Sequence, residues 1–492
     1  METESSALRS LSRHSLPTVN PDITMPGYDR SALVCGIVHL GLGAFHRAHQ
    51  ALYTERLLAA GDRRWGILGV SLRDPSVVNS LAAQDYLYSV TEKHGNVAQT
   101  QVVGALCGAL FAPKALNQVL TAIANPQTSV VSITVTEKGY SQNPATSDLD
   151  LSDPGIQHDL QYPDAPMSTL GILAAGIRRR PTHAPLTLLC CDNMAGNGDV
   201  LRKLLVQYAG HLDAGLARRF ESDIGMPNSM VDRIVPAATP GSLDMAAAAL
   251  GLRDEAAVVC EPFIQWVIEN RFSGPRPNWE DVGVTLTSDV RPYQEMKLRL
   301  LNGTHSAIAY AGQLCDLPTV SDVMADRQVG GFVRRLMLED LRSSMNCPPN
   351  FDLNSYCQDL LRRFENPTLA HKTEQIALDG SQKIPVRWLP ALRESLALGK
   401  ESPLLERALA IWLFYLERQT SETGKILMFK DAGCQELVTQ LRLAASSRDL
   451  VHAALAQYSI FGKAGWPEVF VNRLTEHINT LRSAGTYALL SA

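Results

Sequence analysis

The sequence predicts an α/β domain built on a parallel sheet, followed by a mostly α-helical domain. Through the first half of the 492 residues, short apolar runs alternate with longer segments of helical periodicity. From about Pro292 onward the strand signals fade and helical periodicity continues alone. A chain of this length is also too long for one hydrophobic core, because domains typically contain about 100–200 residues.

Four apolar runs in the first half predict buried strands: "CGIVHLGL" (35–42), "WGILGVSL" (65–72), "SVVSITVT" (129–136) and "LTLLCC" (186–191). Continuous apolar runs of this length are typical of strands that are buried on both faces. Between the first two runs, "RAHQALYTERLLAA" has apolar residues at helical spacing. A strand, a helix and a strand in this order indicate a right-handed crossover and a largely parallel sheet.

The second half contains four segments in which apolar residues recur at intervals of three and four: 293–314, 331–344, 402–419 and 434–458. This spacing is typical of helices with one face in a core. We place the boundary near "TLTSDVRPYQ" (285–294). The predicted organisation is an N-terminal arm (1–30), expected to be flexible, a dinucleotide-binding domain of Rossmann type (31–290) and a helical catalytic and substrate domain (291–492).

Composition excludes several classes of protein. The net charge of −5, without a basic tract, argues against nucleic acid as a partner. No apolar run reaches the ~18 residues that a membrane-spanning helix needs. The nine cysteines are odd in number, form no C-x-x-C pair and follow no secretory signal, which favours reduced thiols and a cytoplasmic location. Glu2 and Glu4 disfavour a transit peptide.

The stretch "GLGAFHRAHQ" (41–50) starts like a dinucleotide-binding fingerprint but lacks its third glycine. It follows the first predicted strand and precedes a helix, where backbone N–H groups can hold a pyrophosphate. A tight turn would explain the two glycines equally well. As a cofactor loop, the stretch predicts contacts to the cofactor from Gly41, Leu42, Gly43, Ala44 and Phe45.

Polar residues follow the other predicted strands. Asp74 ends the second strand where a carboxylate would accept the ribose hydroxyls of NAD, whereas Arg73 could bind a 2′-phosphate instead. Thr136 and Glu137 follow the third strand and are predicted at the cofactor. Asp192 and Asn193 follow the fourth, where helix capping is the alternative.

A metal site is a weaker interpretation of the same region. His46 and His49, three residues apart, could in principle hold a metal. No third ligand lies nearby in the sequence, and we therefore predict no metal site.

The segment "EMKLRLLNGTHSAIAYAG" (295–312) contains the residues best suited to acid–base chemistry. At 100° per residue, Lys297, Asn302 and His305 lie at about 0°, 140° and 80° around an α-helix, so they share one side. Gly303 costs a helix roughly 1 kcal/mol relative to alanine but lets another group approach closely. This face could act on a hydroxyl or a ketone; a solvated helix face is the alternative.

These motifs together resemble the polyol-specific long-chain dehydrogenases, a family that includes mannitol 2-dehydrogenase, arabinitol dehydrogenase and fructuronate reductase. The family's G-x-G-x-F-H-R-x-H corresponds to residues 41–49, and its lysine–asparagine–histidine helix corresponds to 297–305. The blocks "CDN" (191–193), "NSMVDRI" (228–234) and "VVCEPFIQWV" (258–267) occur in the same order. The missing third glycine is this family's own version of the fingerprint.

The resemblance implies a metal-independent enzyme that moves hydride between nicotinamide and a sugar-derived secondary alcohol or ketone, and Asp74 predicts NAD as the cofactor. Lys297 would be the general acid/base, and Asn193 and Asn302 would donate hydrogen bonds to the reacting oxygen. His305 would orient the substrate, with Asp232 and Arg233 in a supporting role beside it. These roles suit the reaction, because an alcohol must lose a proton as its hydride leaves.

The segment "AHKTEQIALDGSQKIPVR" (370–387) is similar to fructuronate reductases, and Gln375 stands where mannitol 2-dehydrogenases have arginine. The resemblance places Lys383 at the substrate, where it could pair with a sugar-acid carboxylate, helped by His371, Lys372 or Arg387. Alternatively, these basic residues cover a helix end or a loop surface.

We therefore expect interconversion of D-mannonate and D-fructuronate, with a neutral polyol such as mannitol or arabinitol as the alternative substrate. A catalytically inactive cofactor-binding sensor is an alternative from another class of protein. We expect a monomer, with a dimer as the alternative.

Overall fold

The computed structural model describes residues 8–143, 146–345, 347, 351–367 and 371–491. The side chain of Glu137 lies outside this description. The chain divides into two compact units, Met1–Arg291 and Pro292–Ala492. The first contains a parallel sheet with helices and the second is built from helices, so the predicted fold class is confirmed.

The first unit is organised around a five-stranded sheet. Its strands are β1 (Ile37–Leu40), β2 (Ile67–Ser71), β5 (Leu106–Phe111), β6 (Val130–Ile133) and β7 (Thr187–Cys190). Their order is β5-β2-β1-β6-β7, and every neighbouring pair is parallel. Each of the four predicted apolar runs contains one of these strands. The strand order reverses between β1 and β6, which is where doubly wound sheets bind ligands.

Both faces of this sheet are buried, which explains why its strands are continuous apolar runs. Ile37 and Val130 face one core, and their neighbours Val38 and Val131 face the other. The helices of the unit are α1 (Ala44–Ala48), α2 (Gln50–Ala59), α3 (Ser76–Ala83), α4 (Ala112–Ala124), α5 (Pro154–Gln161), α6 (Thr169–Arg179), α7 (Asn197–Gly210), α8 (Ala214–Arg218) and α9 (Pro240–Leu250).

Two small three-stranded sheets accompany the main one, and the apolar-run pattern did not predict them. The first has the order β4-β3-β9 and the second β11-β10-β8. Their strands are β3 (Tyr88–His94), β4 (Val97–Val103), β8 (Ser229–Asp232), β9 (Val258–Cys260), β10 (Gln265–Glu269) and β11 (Thr285–Thr287). These strands are short or partly polar, so they lack the continuous apolar run of a fully buried strand.

The N-terminal arm is packed rather than flexible over residues 8–30, and our expectation was wrong there. Leu11 and Val19 are buried in a small core with Leu250 and Leu252. A β-bridge also joins Ser10 to Arg253.

The second unit consists of helices, two of them interrupted by π-helical turns at Lys297–Gly303 and Leu336–Leu341. The segment 434–458, where the spacing of apolar residues predicts helical structure, contains two main helices, because Ser446 caps a new helix through the backbone N–H of Asp449. The α-helices are α10 (Arg291–Met296), α11 (Thr304–Leu314), α12 (Val320–Ala325), α13 (Arg327–Arg335), α14 (Leu353–Phe364), α15 (Thr373–Ile376), α16 (Gly380–Arg387), α17 (Leu389–Ala397), α18 (Pro403–Arg418), α19 (Gln435–Leu443), α20 (Ser447–Leu455), α21 (Tyr458–Phe461), α22 (Glu468–Ala484) and α23 (Thr486–Ser491).

Cys35 and Cys107 form a disulfide, so the expectation that all cysteines are reduced was wrong for this pair. Cys35 precedes β1 and Cys107 lies in β5, on either side of β2. Gly66 lies between them, and a Cβ there would be 3.2 Å from the sulfur of Cys107. A cytoplasmic location stays a prediction. Within the described ranges, no helix has the length and apolar character needed to cross a membrane.

Candidate active site

The glycine loop after β1 requires glycine at its first position. Gly41 has a φ of +102°, and a Cβ there would lie 1.9 Å from the carbonyl oxygen of Thr134. Only glycine fits this conformation and this close approach. Gly43 is different, since its ideal Cβ would have only the carbonyl oxygen of Gly41, at 3.8 Å, within 4 Å. The absence of a side chain at Gly43 therefore leaves space at the start of α1 for a ligand.

A cavity of about 640 Å³ lies at the carboxyl ends of β1, β2 and β6. This volume is typical of small-molecule and cofactor sites. Among the residues predicted at the cofactor, its wall includes Gly41, Leu42, Gly43, Arg73, Asp74 and Thr136. Ala44 and Phe45 instead pack against the hydrophobic core of the unit. The predicted contact from Glu137 falls on a side chain outside the described residues.

Arg73 and Asp74 lie side by side in the cavity wall and are both exposed. Asp74 accepts hydrogen bonds from the backbone N–H of Ser76 at 2.9 Å and from its hydroxyl at 2.7 Å. These two bonds lower the pKa of the Asp74 carboxyl. The carboxylate is therefore ionised at neutral pH beside the cavity, next to a guanidinium of opposite charge.

Asp192 holds the chain that follows β6. Its carboxylate accepts hydrogen bonds from the backbone N–H groups of Val135 and Thr136, at 3.0 and 2.9 Å, and from the hydroxyl of Tyr140 at 2.5 Å. The N-cap of α7 is Gly196, without a side-chain cap bond. The alternative that Asp192 caps this helix was therefore wrong. Asn193, the neighbouring candidate, is exposed in the same loop.

Asn197 is a positioning residue that the sequence did not reveal. Its amide nitrogen donates to the carbonyl oxygens of Cys190, Asp192 and Ser229, at 3.0–3.2 Å. Its amide oxygen accepts from the backbone N–H of Ser229. The buried Asn197 side chain thereby fixes the loop that contains Asp192 and Asn193. These contacts are tertiary, and no local pattern marks them.

Asp232 and Arg233 lie at the end of β8 and are both buried. Arg233 donates to the carbonyl oxygens of Ala48, at 2.6 Å, and Glu261, and it forms an ion pair with Glu92. The guanidinium thus connects the end of α1 with two other segments. The supporting role assigned to Arg233 and Asp232 stays a prediction.

The histidines near the glycine loop pack as a buried cluster. The rings of His39 and His46 stack with centroids 3.3 Å apart. His39 also bonds to Ser132 and to the carbonyl oxygen of Gly41, and burial lowers its pKa to about 3. His49 bonds to the carbonyl oxygen of Gln265. Over the part of the chain that the structure describes, no group of three or more His, Cys, Asp or Glu side chains could hold a metal.

The predicted catalytic helix of the second unit is not a regular α-helix. Lys297 begins the π-helical turn, Asn302 lies within it and His305 lies in α11. A π-helix bonds residue i to residue i+5, so Lys297 and Asn302 lie closer in angle than the 140° of an α-helix. Lys297 and His305 are only 7% and 8% exposed. A solvated helix face, the alternative interpretation, is therefore wrong.

The π-helical turn is braced by Arg387, the last residue of α16, and by Trp388, which follows it. Arg387 donates to the carbonyl oxygen of Asn302 at 3.0 Å and to the hydroxyl of Ser306 at 2.9 Å. The indole N–H of Trp388 donates to the carbonyl oxygen of Gly303 at 3.0 Å. A Cβ at Gly303 would lie 3.5 Å from both Trp388 and Leu341, which is an ordinary van der Waals distance, so the expected close approach at this glycine is not found. Arg387 therefore contacts the π-helical turn directly, and its predicted help at the substrate stays a prediction.

His305 is surrounded by basic groups. Its ring contacts Phe364 at 4.6 Å and His371 at 5.6 Å between centroids. Burial, followed by the positive charges of four neighbours, lowers the pKa of His305 well below its ordinary value. These neighbours are His371, Arg387, Arg363 and Lys383. Arg363 is a candidate that sequence reasoning missed, because the "RR" of α14 looks like an ordinary helix surface.

Two imidazole nitrogens in this cluster are buried without a hydrogen-bond partner among the described residues. They are Nε2 of His305 and Nδ1 of His371. Buried polar atoms are normally paired, so these two nitrogens need a partner such as a bound water, ion or ligand. Lys383 donates to the carbonyl oxygens of Ile376, at 3.1 Å, and Leu378. Lys372 lies outside this arrangement, exposed beside Glu374.

Comparison with known protein families agrees with the fold of the two units. The chain matches the mannitol dehydrogenase Rossmann domain over residues 35–281 and the mannitol dehydrogenase C-terminal domain over residues 289–482. The chain belongs to the mannitol dehydrogenase family. Both the family that the motifs indicated and the Rossmann type of the first unit are confirmed, and the protein is an oxidoreductase of this family.

Three similar proteins are informative. D-mannonate oxidoreductase of Escherichia coli is 40% identical over 90% of this chain and 92% of its own. The structure of Pseudomonas fluorescens mannitol 2-dehydrogenase with NAD and D-mannitol is 34% identical, with a TM-score of 0.84 over 98% and 99% of the two chains. Substrate-free D-sorbitol dehydrogenase is 29% identical, with a TM-score of 0.91 over 98% and 100%.

Proposed function

We propose that this protein is an NAD-dependent oxidoreductase that interconverts D-mannonate and D-fructuronate. The observation that supports this substrate class most strongly is the buried basic cluster around His305. Two unpaired imidazole nitrogens and the charges of Arg363, Lys383 and Arg387 favour an anionic, hydroxyl-rich ligand. The 40% identity to a D-mannonate oxidoreductase supports the same choice.

The cavity of the first unit suits NAD. The open space at Gly43 and the start of α1 would hold the pyrophosphate, and the carboxylate of Asp74 would accept the ribose hydroxyls. A relative of 34% identity has NAD bound. When bound, NAD supplies the hydride acceptor for oxidation of the substrate.

The protein's own residues would handle the proton and the substrate oxygen. Lys297 accepts the hydroxyl proton during oxidation and returns it during reduction. Lys297 is 7% exposed, and its neutral amine is the form that can accept a proton. Asn302 donates a hydrogen bond to the reacting oxygen and steadies the developing negative charge. Asn193 of the first unit has the same proposed role.

His305 would orient the substrate through its unpaired Nε2. Its lowered pKa keeps the ring neutral at pH 7, so it can exchange hydrogen bonds with sugar hydroxyls without adding charge. Asp232 and Arg233 would support the site through the loops that they contact. We expect the protein to act as a monomer in the cytoplasm.

The charge of the substrate carboxylate would give the selectivity. A neutral polyol offers no opposite charge to a basic cluster, whereas a carboxylate gains charge-assisted hydrogen bonds worth roughly 1.5–3 kcal/mol. This difference corresponds to about ten- to a hundredfold in kcat/KM, at ~1.4 kcal/mol per decade.

The test is a panel of substrates in which formation of the reduced cofactor, NADH or NADPH, is measured by its absorbance. D-mannonate, D-altronate, D-mannitol and D-arabinitol are each offered with NAD and with NADP. We expect the highest kcat/KM for mannonate with NAD, and D-fructuronate as the product. A higher kcat/KM with mannitol or arabinitol than with mannonate would show that the preferred substrate is a neutral polyol. NADH binding without turnover of any substrate would support the sensor alternative.

A further inference from the structure

Thr136 adopts a backbone conformation that few residues other than glycine tolerate. Its φ of +66° and ψ of 164° lie in a region that is populated almost only by glycine. The residue also forms part of the cavity wall. Such a conformation persists only where the surroundings hold it, and it is most often found at functional sites.

The surroundings that hold Thr136 converge on Asp192. One carboxylate oxygen accepts the N–H of Thr136 and the other accepts the N–H of Val135. The fully buried Tyr140 donates to the same carboxylate and contacts the sulfur of Cys190. The carbonyl oxygen of Asp192 is itself held by Asn197. Tyr140 thus holds the carboxylate of Asp192, and Asn197 holds its backbone. The carboxylate held in this way fixes the two residues after β6.

The same segment of chain contacts the glycine loop. The hydroxyl of Thr134 donates to the carbonyl oxygen of Gly41 at 2.9 Å, and the backbone of Thr134 fills the place where a Gly41 side chain would be. A shift of residues 134–136 would therefore move two walls of the cavity together.

We propose that Asp192 is a positioning residue that sets the affinity for NAD by holding Thr136 in its strained conformation. Asp192 acts through the cavity wall and contacts neither the reacting atoms nor the substrate. The inference rests on the proposed function only in taking the ligand of this cavity to be NAD.

The substitution Asp192→Asn tests this role. The side chain keeps its size, but one of the two N–H groups of residues 135 and 136 then faces an amide NH₂ instead of an acceptor. We expect the Kd of NADH, measured by fluorescence titration without substrate, to rise by about ten- to a hundredfold. The kcat at saturating NAD should stay within about threefold, because NAD then fills the cavity.

A second substitution separates positioning from general damage. Glycine adopts the conformation of Thr136 without strain. We therefore expect Thr136→Gly in the Asp192→Asn background to recover at least about threefold of the lost NADH affinity. The Kd of Thr136→Gly alone is measured beside it, so that the recovery is compared with the effect of the glycine by itself. If Asp192→Asn does not fold, Tyr140→Phe removes one bond to the carboxylate and should raise the Kd by about three- to tenfold.

Asp431→Asn is the matched control. Asp431 is a buried carboxylate in the second unit that accepts the backbone N–H of Ser381 at 2.7 Å and of Gly433 at 3.1 Å. This variant should lose stability without a change in the Kd of NADH.

An unchanged Kd in a folded Asp192→Asn variant, or no recovery by Thr136→Gly, would overturn the inference. Failure of the mannonate assignment leaves the Kd measurements intact, because they are made without substrate. Absence of NADH binding by the wild type would overturn both the inference and the proposed cofactor.

Discussion

Arg387 donates a hydrogen bond of 3.0 Å to the carbonyl oxygen of Asn302, the residue proposed to hold the reacting oxygen. The same guanidinium reaches Ser306, one residue beyond His305. Burial lowers the pKa of Arg387 to about 10, so it remains charged at neutral pH. One basic side chain therefore fixes the turn between the proposed acid/base and the substrate histidine.

This contact predicts that Arg387→Lys impairs turnover more than binding. Lysine keeps the charge but cannot hold the Asn302 carbonyl and the Ser306 hydroxyl in the same fixed geometry. We expect kcat to fall about tenfold or more while the KM for mannonate changes less than about threefold. Steady-state kinetics with mannonate and NAD measure both.

Arg393→Lys is the control, because Arg393 also donates to backbone carbonyls, at Phe461 and Ala464, away from this turn. If Arg387→Lys changed KM alone, Arg387 would be a substrate-binding residue and not a brace.

Asp74 predicts a preference for NAD over NADP. An ionised carboxylate at the ribose repels a 2′-phosphate, whereas the neighbouring Arg73 attracts it. We expect Asp74→Ala to raise kcat/KM with NADP relative to NAD by about tenfold or more. In the same assay Arg73→Ala should lower the activity that remains with NADP. Equal efficiency of the wild type with the two cofactors would show that Asp74 does not reach the ribose.

Lys383 is predicted to select the sugar acid. Because its ammonium also bonds to the carbonyl oxygens of Ile376 and Leu378, Lys383→Ala could disturb the site for every substrate. The informative quantity is therefore the change in the KM for mannonate relative to the change in the KM for mannitol. We expect the KM for mannonate to rise about tenfold and the KM for mannitol to rise less than about threefold.

Lys372→Ala removes an exposed lysine from the same segment and should leave both constants unchanged. Equal increases in both KM values after Lys383→Ala would assign Lys383 a purely structural role.

His39 predicts that stability falls as the pH falls below 7. Its pKa is about 3 in the folded protein, against an ordinary value near 6.5. The unfolded chain therefore takes up a proton below pH 6.5 that the folded chain cannot bind. Between pH 7 and pH 5, this group should lower the free energy of unfolding by ~2 kcal/mol.

Urea denaturation of the wild type and of His39→Gln at both pH values measures this contribution. The variant should lose less stability than the wild type over this interval. Equal losses in the two proteins would mean that His39 is protonated in the folded state or already neutral in the unfolded one.

The sequence predicted those features that depend on local pattern. The four buried strands followed from apolar runs, and the glycine loop from its position after β1. The loop requires glycine at position 41 because Thr134 approaches it closely, and this approach becomes visible only in the folded sheet. The clustering of Lys297, Asn302 and His305 on one side was expected from helical spacing, but the π-helical turn has no recognisable sequence pattern.

The remaining features depend on contacts between distant parts of the chain. Arg387 and Asn302 are 85 residues apart, and Asp192 and Thr136 are 56 apart. The disulfide joins cysteines that are 72 residues apart, across β2. Such pairs become predictable only once the register of the sheet and the packing of the helices are known.

The central claim is that Lys297 transfers the proton in an NAD-dependent oxidation, and Lys297→Ala tests it most directly. The turnover of mannonate with NAD is measured at neutral pH, together with the Kd of NADH and the circular dichroism spectrum of the variant. We predict a folded protein that binds NADH normally and whose kcat is at least ~10²-fold lower, because the change removes only the proton acceptor. Near-normal turnover by the folded variant would contradict the account.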